Sequence, residues 1–127
     1  MSDNFQILNM TKGTLPRVSF ALIKDAILGK NYELSLVFCG NRKSKELNRI
    51  YRNKDYPTNV LSFPLDKKSG EIFINPHVAK KEASKFDKNY SDFVGFLFIH
   101  GLLHLKGMEH GSTMEKAEIK FCKKFNI

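Results

Sequence analysis

The stretch FLFIHGLLHLKGMEHG, residues 96–111, places three histidines in the most apolar part of the chain. His100 and His104 are four residues apart, so on a helix their rings lie on one side, one turn apart. Phe96, Leu97, Phe98, Ile99, Leu102, Leu103 and Leu105 make that helix apolar on all sides, which marks it for burial. A buried imidazole must satisfy both nitrogens, and two neighbouring ones cannot both become charged cheaply. A shared metal ion resolves the conflict, because neutral imidazole is a good zinc ligand. Gly107 ends the helix and lets the chain turn, which brings His110 within reach of a third position.

The resulting pattern is H-x3-H-x5-H. Three protein nitrogens leave a tetrahedral ion one open position, the arrangement of a catalytic zinc rather than a structural one. Nickel or copper would also accept three imidazoles. A structural site would need a fourth ligand. Neither Cys39 nor Cys122 has helpful spacing, although Cys122 stays open as one. His77, after Pro76, reads as a loop histidine outside the site.

A chain of 127 residues is expected to form one domain, 1–127, around a single core. With 42% apolar and 27% charged residues it reads as a globular protein, not a disordered one. The longest near-apolar run, 93–99, is far too short to span a bilayer, so no membrane association is expected. The start, MSDNFQ, lacks the basic and apolar regions of a signal peptide. With two distant cysteines and no CxxC, the expected setting is reduced and cytoplasmic. Lys plus Arg outnumber Asp plus Glu by 21 to 13, a net +8 that favours polyanions such as nucleic acid.

Hydrophobic periodicity gives the order β-α-β-α-β-β-α-α-α. Residues 5–9 read as a strand. Residues 15–31 read as a helix with Pro16 in its first turn and a stripe of Val18, Leu22, Ala26, Ile23 and Ile27. YELSLVFC is a strand, and NRKSKELNRIYRN a helix with Leu47, Ile50 and Tyr51 inward. NVLSFPL and GEIFINP are strands around a turn, and VAKKEASKF is a short helix. Ser91 is the expected N-cap of the histidine helix. In the last helix Met114, Ala117, Phe121 and Phe125 share a face. Lys116, Lys120, Lys123 and Lys124 beside it read as a solvated face, with a phosphate-contacting edge as the sharper alternative. The fold class is α+β, a small mixed sheet of about four strands with about five helices packed on it.

The histidine spacing also occurs in metzincin proteases, HExxHxxGxxH, where the Glu after the first His is the general base. Gly101 stands at that position here, so a protease mechanism loses its base. Glu109 is acidic but lies off the helical face where that base sits.

HGLLHLKGMEH resembles the signature of the YbeY family, HGxLHLxGYDH, with Met108 and Glu109 in place of Tyr and Asp. LNRIYRNKDYPTNVLSFP, residues 47–64, is similar to the family's second marked segment, in which an Arg precedes a KDxPT[DN]VLSFP run. GEIFIN resembles its G-D-I-x-I strand, with Glu71 for Asp. The resemblance implies a metal-dependent, single-strand-specific endoribonuclease of ribosomal RNA maturation and ribosome quality control. It implies that His100, His104 and His110 bind one zinc ion and that Arg52 is the arginine of the active cleft. Ribosomal RNA and the small ribosomal subunit are the implied partners, and DNA is not. Arg52 would meet a phosphate, since a guanidinium binds two oxygens and stabilises developing charge. Read without the family, it is a solvated helix-end arginine. Pro57, Thr58 and Asn59 read as a turn before a strand or as part of the cleft wall. No residue stands out as general base, and both a cyclic-phosphate product and direct hydrolysis stay open. Two other functions also stay open: an rRNA-binding assembly factor with a mainly structural zinc, and a zinc peptidase.

Overall fold

The computed structural model describes residues 4–127. The chain runs β1 (Phe5–Asn9), α1 (Phe20–Leu28), β2 (Glu33–Phe38), α2 (Asn41–Arg52), β3 (Val60–Asp66), β4 (Ser69–Ile74), α3 (Pro76–Ala83), α4 (Tyr90–Leu105) and α5 (Ser112–Lys124). A 3₁₀ turn, Ser84–Phe86, follows α3. The expected α+β order is the observed one.

The four strands form one mixed sheet in the order β1-β2-β4-β3. β1 and β4 each pair parallel with β2, and β3 pairs antiparallel with β4. β3 is therefore an edge strand. Side chains alternate across a sheet, so register decides which residues share a face. Leu36 lies opposite Ile72 and Phe38 opposite Ile74. All four are buried on the side covered by α1 and α4. Phe93, Phe98, Ile99, Leu102 and Leu103 of α4 complete that core with no exposed surface. This is why α4 is apolar around its circumference: it packs against α1, α3 and α5 as well as β3 and β4.

Several local expectations are corrected. Pro16 does not open α1, which begins at Phe20. Phe20, Ile23, Lys24 and Ile27 form its buried face, while Leu22 is 65% exposed. The Phe20 ring settles the rotation of the helix, sitting edge-on to Phe38 at 5.7 Å and Phe98 at 5.1 Å. In α2, Leu47 is buried as expected, but Ile50 and Tyr51 are exposed. Ser44 and Asn48 take the inward positions because they hydrogen-bond the chain that follows the helix. The N-cap of α4 is Asn89, not Ser91: its side chain accepts from Asp92 N–H at 2.8 Å. The apolar face expected for α5 is observed, with Met114 buried and Ala117, Phe121 and Phe125 packed against the core. Among the described residues no helix is long and apolar enough to cross a membrane.

Candidate metal centre

The C-terminal third of α4 carries His100 and His104 along the face turned to the β3 edge. α4 ends at Leu105, and Gly107 follows with φ of +100°, a left-handed conformation that glycine adopts without steric cost. The chain turns there and returns His110 to the other two rings. The ring centroids lie 4.6 Å apart for His100–His104, 5.1 Å for His100–His110 and 4.6 Å for His104–His110. One nitrogen from each ring falls within 4.8 Å of the others, a group able to hold a metal ion. Cys122 and His77 are not part of it. His77 lies in the first turn of α3, not in a loop, and is exposed.

The hydrogen bonds fix which nitrogens face one another. His104 Nδ1 lies 3.0 Å from the Met108 carbonyl oxygen, which only accepts, so Nδ1 carries the proton and Nε2 the lone pair. His100 Nδ1 lies 3.2 Å from Glu118 Oε2, and the same reasoning leaves its Nε2 bare. These two Nε2 atoms are 3.1 Å apart. Two lone pairs at that distance repel unless a positive centre lies between them. A proton bridges two nitrogens, whereas a metal ion takes all three, and three converging imidazoles suit zinc, copper or nickel. The donor set therefore fits a metal. Burial, followed by the neighbouring His100 charge, pushes the His104 pKa below the usual histidine value, and the Met108 carbonyl offsets this in part. His104 thus keeps its lone pair at neutral pH.

The opposite wall of the cleft comes from α2 and the loop after it. Arg52 is the last residue of α2, and Asn53 caps the helix in the left-handed region. The loop is tied back to α2: Thr58 N–H donates to Ser44 Oγ at 2.8 Å, and the Ser44 hydroxyl donates to Thr58 O at 2.9 Å. Asn48 Nδ2 donates to Tyr56 O at 2.9 Å. Asn59 Nδ2 donates to Glu82 Oε1 at 2.8 Å, which anchors the loop to α3 as well. The Pro57–Asn59 segment is thus both the turn into β3 and, through Thr58 and Asn59, part of the wall. Arg52, residues 58–62 and all three histidines line one cleft of about 390 Å³. Arg52 is the only Lys or Arg among those lining residues.

Gly101 is more than an absent carboxylate. A Cβ there would sit 2.8 Å from Ser62 Oγ and 3.1 Å from Ile72 Cδ1. Ser62 Oγ donates to the Gly101 carbonyl at 3.0 Å, which locks α4 onto β3. At the position that holds a base in metzincins, even a Cβ would require Ser62 or Ile72 to shift. Glu109 is exposed beyond the end of α4. Spacing alone did not reveal Glu118, which meets His100 from α5, or the Ser44 and Asn48 clamps. A carboxylate in line with Met114 and Phe121 was the available signal for Glu118.

The family model described as "Endoribonuclease YbeY" matches residues 4–125. An endoribonuclease YbeY of Francisella philomiragia is 33% identical, over 94% of this chain and 85% of that protein. One of Nautilia profundicola is 39% identical over 75% of this chain and 73% of its own. One of Alkaliphilus metalliredigens is 37% identical over 71% of this chain, a match that spans 65% of the relative. The solution structure of a Thermotoga maritima protein superposes with a TM-score of 0.68 at 26% identity, covering 95% of this chain and 88% of that one. Sequence, fold and the histidine-lined cleft agree, and the chain belongs to the endoribonuclease YbeY family.

Proposed function

We propose that this protein is a metal-dependent endoribonuclease that cleaves single-stranded RNA in ribosomal RNA maturation and ribosome quality control, with one zinc ion held by His100, His104 and His110. The observation that carries the reading is the meeting of Arg52 and the three histidines in one cleft. The chemistry a bound ion supplies there is Lewis acidity toward phosphoryl oxygens and water. The chain's own residues do the rest. His100, His104 and His110 would hold the ion through neutral imidazole nitrogens, which add no negative charge to the site. The Arg52 guanidinium, across the cleft, pairs two phosphate oxygens and stabilises charge that grows during cleavage. Thr58 and Asn59, pinned by Ser44 and Glu82, keep the walls at a fixed separation. A net charge of +8 attracts the RNA from a distance, so binding weakens steeply with salt. The proposed setting is the cytoplasm, with the small ribosomal subunit as partner, and neither membrane nor DNA is required.

The test is cleavage of a single-stranded RNA by zinc-loaded protein beside His104→Ala and Arg52→Ala. The proposal expects cleavage by the parent and its loss or strong reduction in both variants. Salt-sensitive binding without cleavage by the parent would contradict it in favour of an assembly factor. Chelator-sensitive cleavage of unfolded protein would contradict it in favour of a peptidase, a reading that the packing at Gly101 opposes.

A further inference from the structure

We propose that Glu118 is a positioning residue of the metal centre, acting through His100. The inference rests on the metal reading above and concerns how that site is built. Glu118 lies on α5, eighteen residues from His100 in sequence, with Oε2 3.2 Å from His100 Nδ1. Met114, Ala117, Glu118 and Phe121 fall at helical spacing on the face of α5 turned inward. The Glu118 side chain is 12% exposed and that of His100 20%. At that burial, with Phe96 among its neighbours, a carboxylate gives up part of its hydration, which a hydrogen-bond partner offsets. An ordinary surface ion pair would lie in water instead.

The geometry assigns the role. Glu118 meets the ring edge opposite the nitrogen that faces the other histidines, and it is not one of the metal-binding group. It is therefore neither a fourth ligand nor, in this position, a base acting in the cleft. As an acceptor it holds the proton on His100 Nδ1, directs the Nε2 lone pair inward and fixes the ring plane. Its charge also makes the imidazole a stronger donor. A carboxylate behind a metal-bound histidine typically contributes about 10–100-fold in metal affinity. Met108 O serves the same purpose for His104, with a backbone carbonyl in place of the carboxylate.

The experiment has two readouts, neither of which is activity. Metal-free parent, Glu118→Ala and Glu118→Gln are titrated with zinc in competition with a chromophoric chelator. In the same proteins, long-range ¹H–¹⁵N spectra read the His100 tautomer before zinc is added. Glu118→Ala is expected to bind zinc about 10–100-fold more weakly, with His100 divided between tautomers. Glu118→Gln keeps an acceptor oxygen and the shape of the side chain. It should restore the Nδ1–H tautomer and recover part of the affinity, and it serves as the variant if Glu118→Ala does not fold. A parent that binds zinc, with both variants within about twofold of it and an unchanged tautomer, would overturn the Glu118 inference alone. A parent that binds no zinc would overturn the metal reading, and this inference with it.

Discussion

The two walls of the cleft are built in opposite ways. On the histidine wall, α4 packs its apolar residues into the core, and both of its histidines, half-buried on the cleft side, have their outer nitrogens hydrogen-bonded. On the arginine wall, Arg52 stands exposed at the end of α2, and Ser44 and Asn48 tie the loop that follows it back to the helix. The difference follows the chemistry. A metal ligand must be placed to within a fraction of an ångström, which demands a packed, hydrogen-bonded scaffold. A guanidinium that meets a phosphate tolerates a longer, looser reach, and its exposure leaves it available to a large ligand. One wall is specified by packing, the other by position.

That contrast can be broken at several points, beginning with the largest effect. His104→Ala should lose both bound zinc and RNA cleavage, measured by elemental analysis and by single-stranded RNA digestion; retained zinc would show that the two remaining rings suffice. Arg52→Ala should lower kcat by about 10²–10³-fold, the usual loss for one donor to developing charge, while metal content and Tm stay at parental values. Arg52→Lys should recover only part of this, because an ammonium cannot pair two oxygens in a fork. A fall in zinc content in either arginine variant would mean that the walls are not independent.

Gly101→Ala should cost about 1–3 kcal/mol by overpacking, since its Cβ meets Ser62 Oγ and Ile72; urea unfolding would read it. Ser44→Ala should cost about 1–2 kcal/mol for the lost loop clamp and raise KM more than it changes zinc binding. The smallest effect is that of pH on the metal-free protein. The folded state holds the His104 pKa below its ordinary value, so the unfolded chain binds more protons in the window just below about 6.5. Stability is therefore complete above that value and falls as pH drops through it toward the depressed folded pKa. Urea midpoints across this range should decline for the parent and decline less for His104→Ala. A flat parental profile would contradict a depressed His104 pKa in the folded state.

The same contrast explains what the sequence disclosed. The histidine wall was legible because its logic is local: three rings within eleven residues, an apolar helix and a glycine turn all lie in one stretch. Gly101 was visible as a departure from a protease, but the close packing that a side chain would meet there lies on β3 and β4. Glu118 escaped because its partner is on another helix, and a Glu among lysines on α5 looks like ordinary surface. Arg52 was found through the family segment; its own helix pattern marked it only as a charged end. The misplacements in α1 and α2 share a cause. Apolar periodicity admits two neighbouring stripes, and contacts distant in sequence choose between them: Phe38 and Phe98 for α1, the 56–58 loop for α2.

If RNA cleavage depends on a metal ion held by the three histidines, it must follow the filling of that site. The most direct measurement is a zinc titration of chelator-stripped protein while cleavage of a labelled single-stranded RNA is followed. No cleavage is expected without metal, and activity should rise until it saturates at about one zinc per chain. Cleavage that proceeds equally in the stripped protein, or that never appears as the site fills, would contradict that dependence.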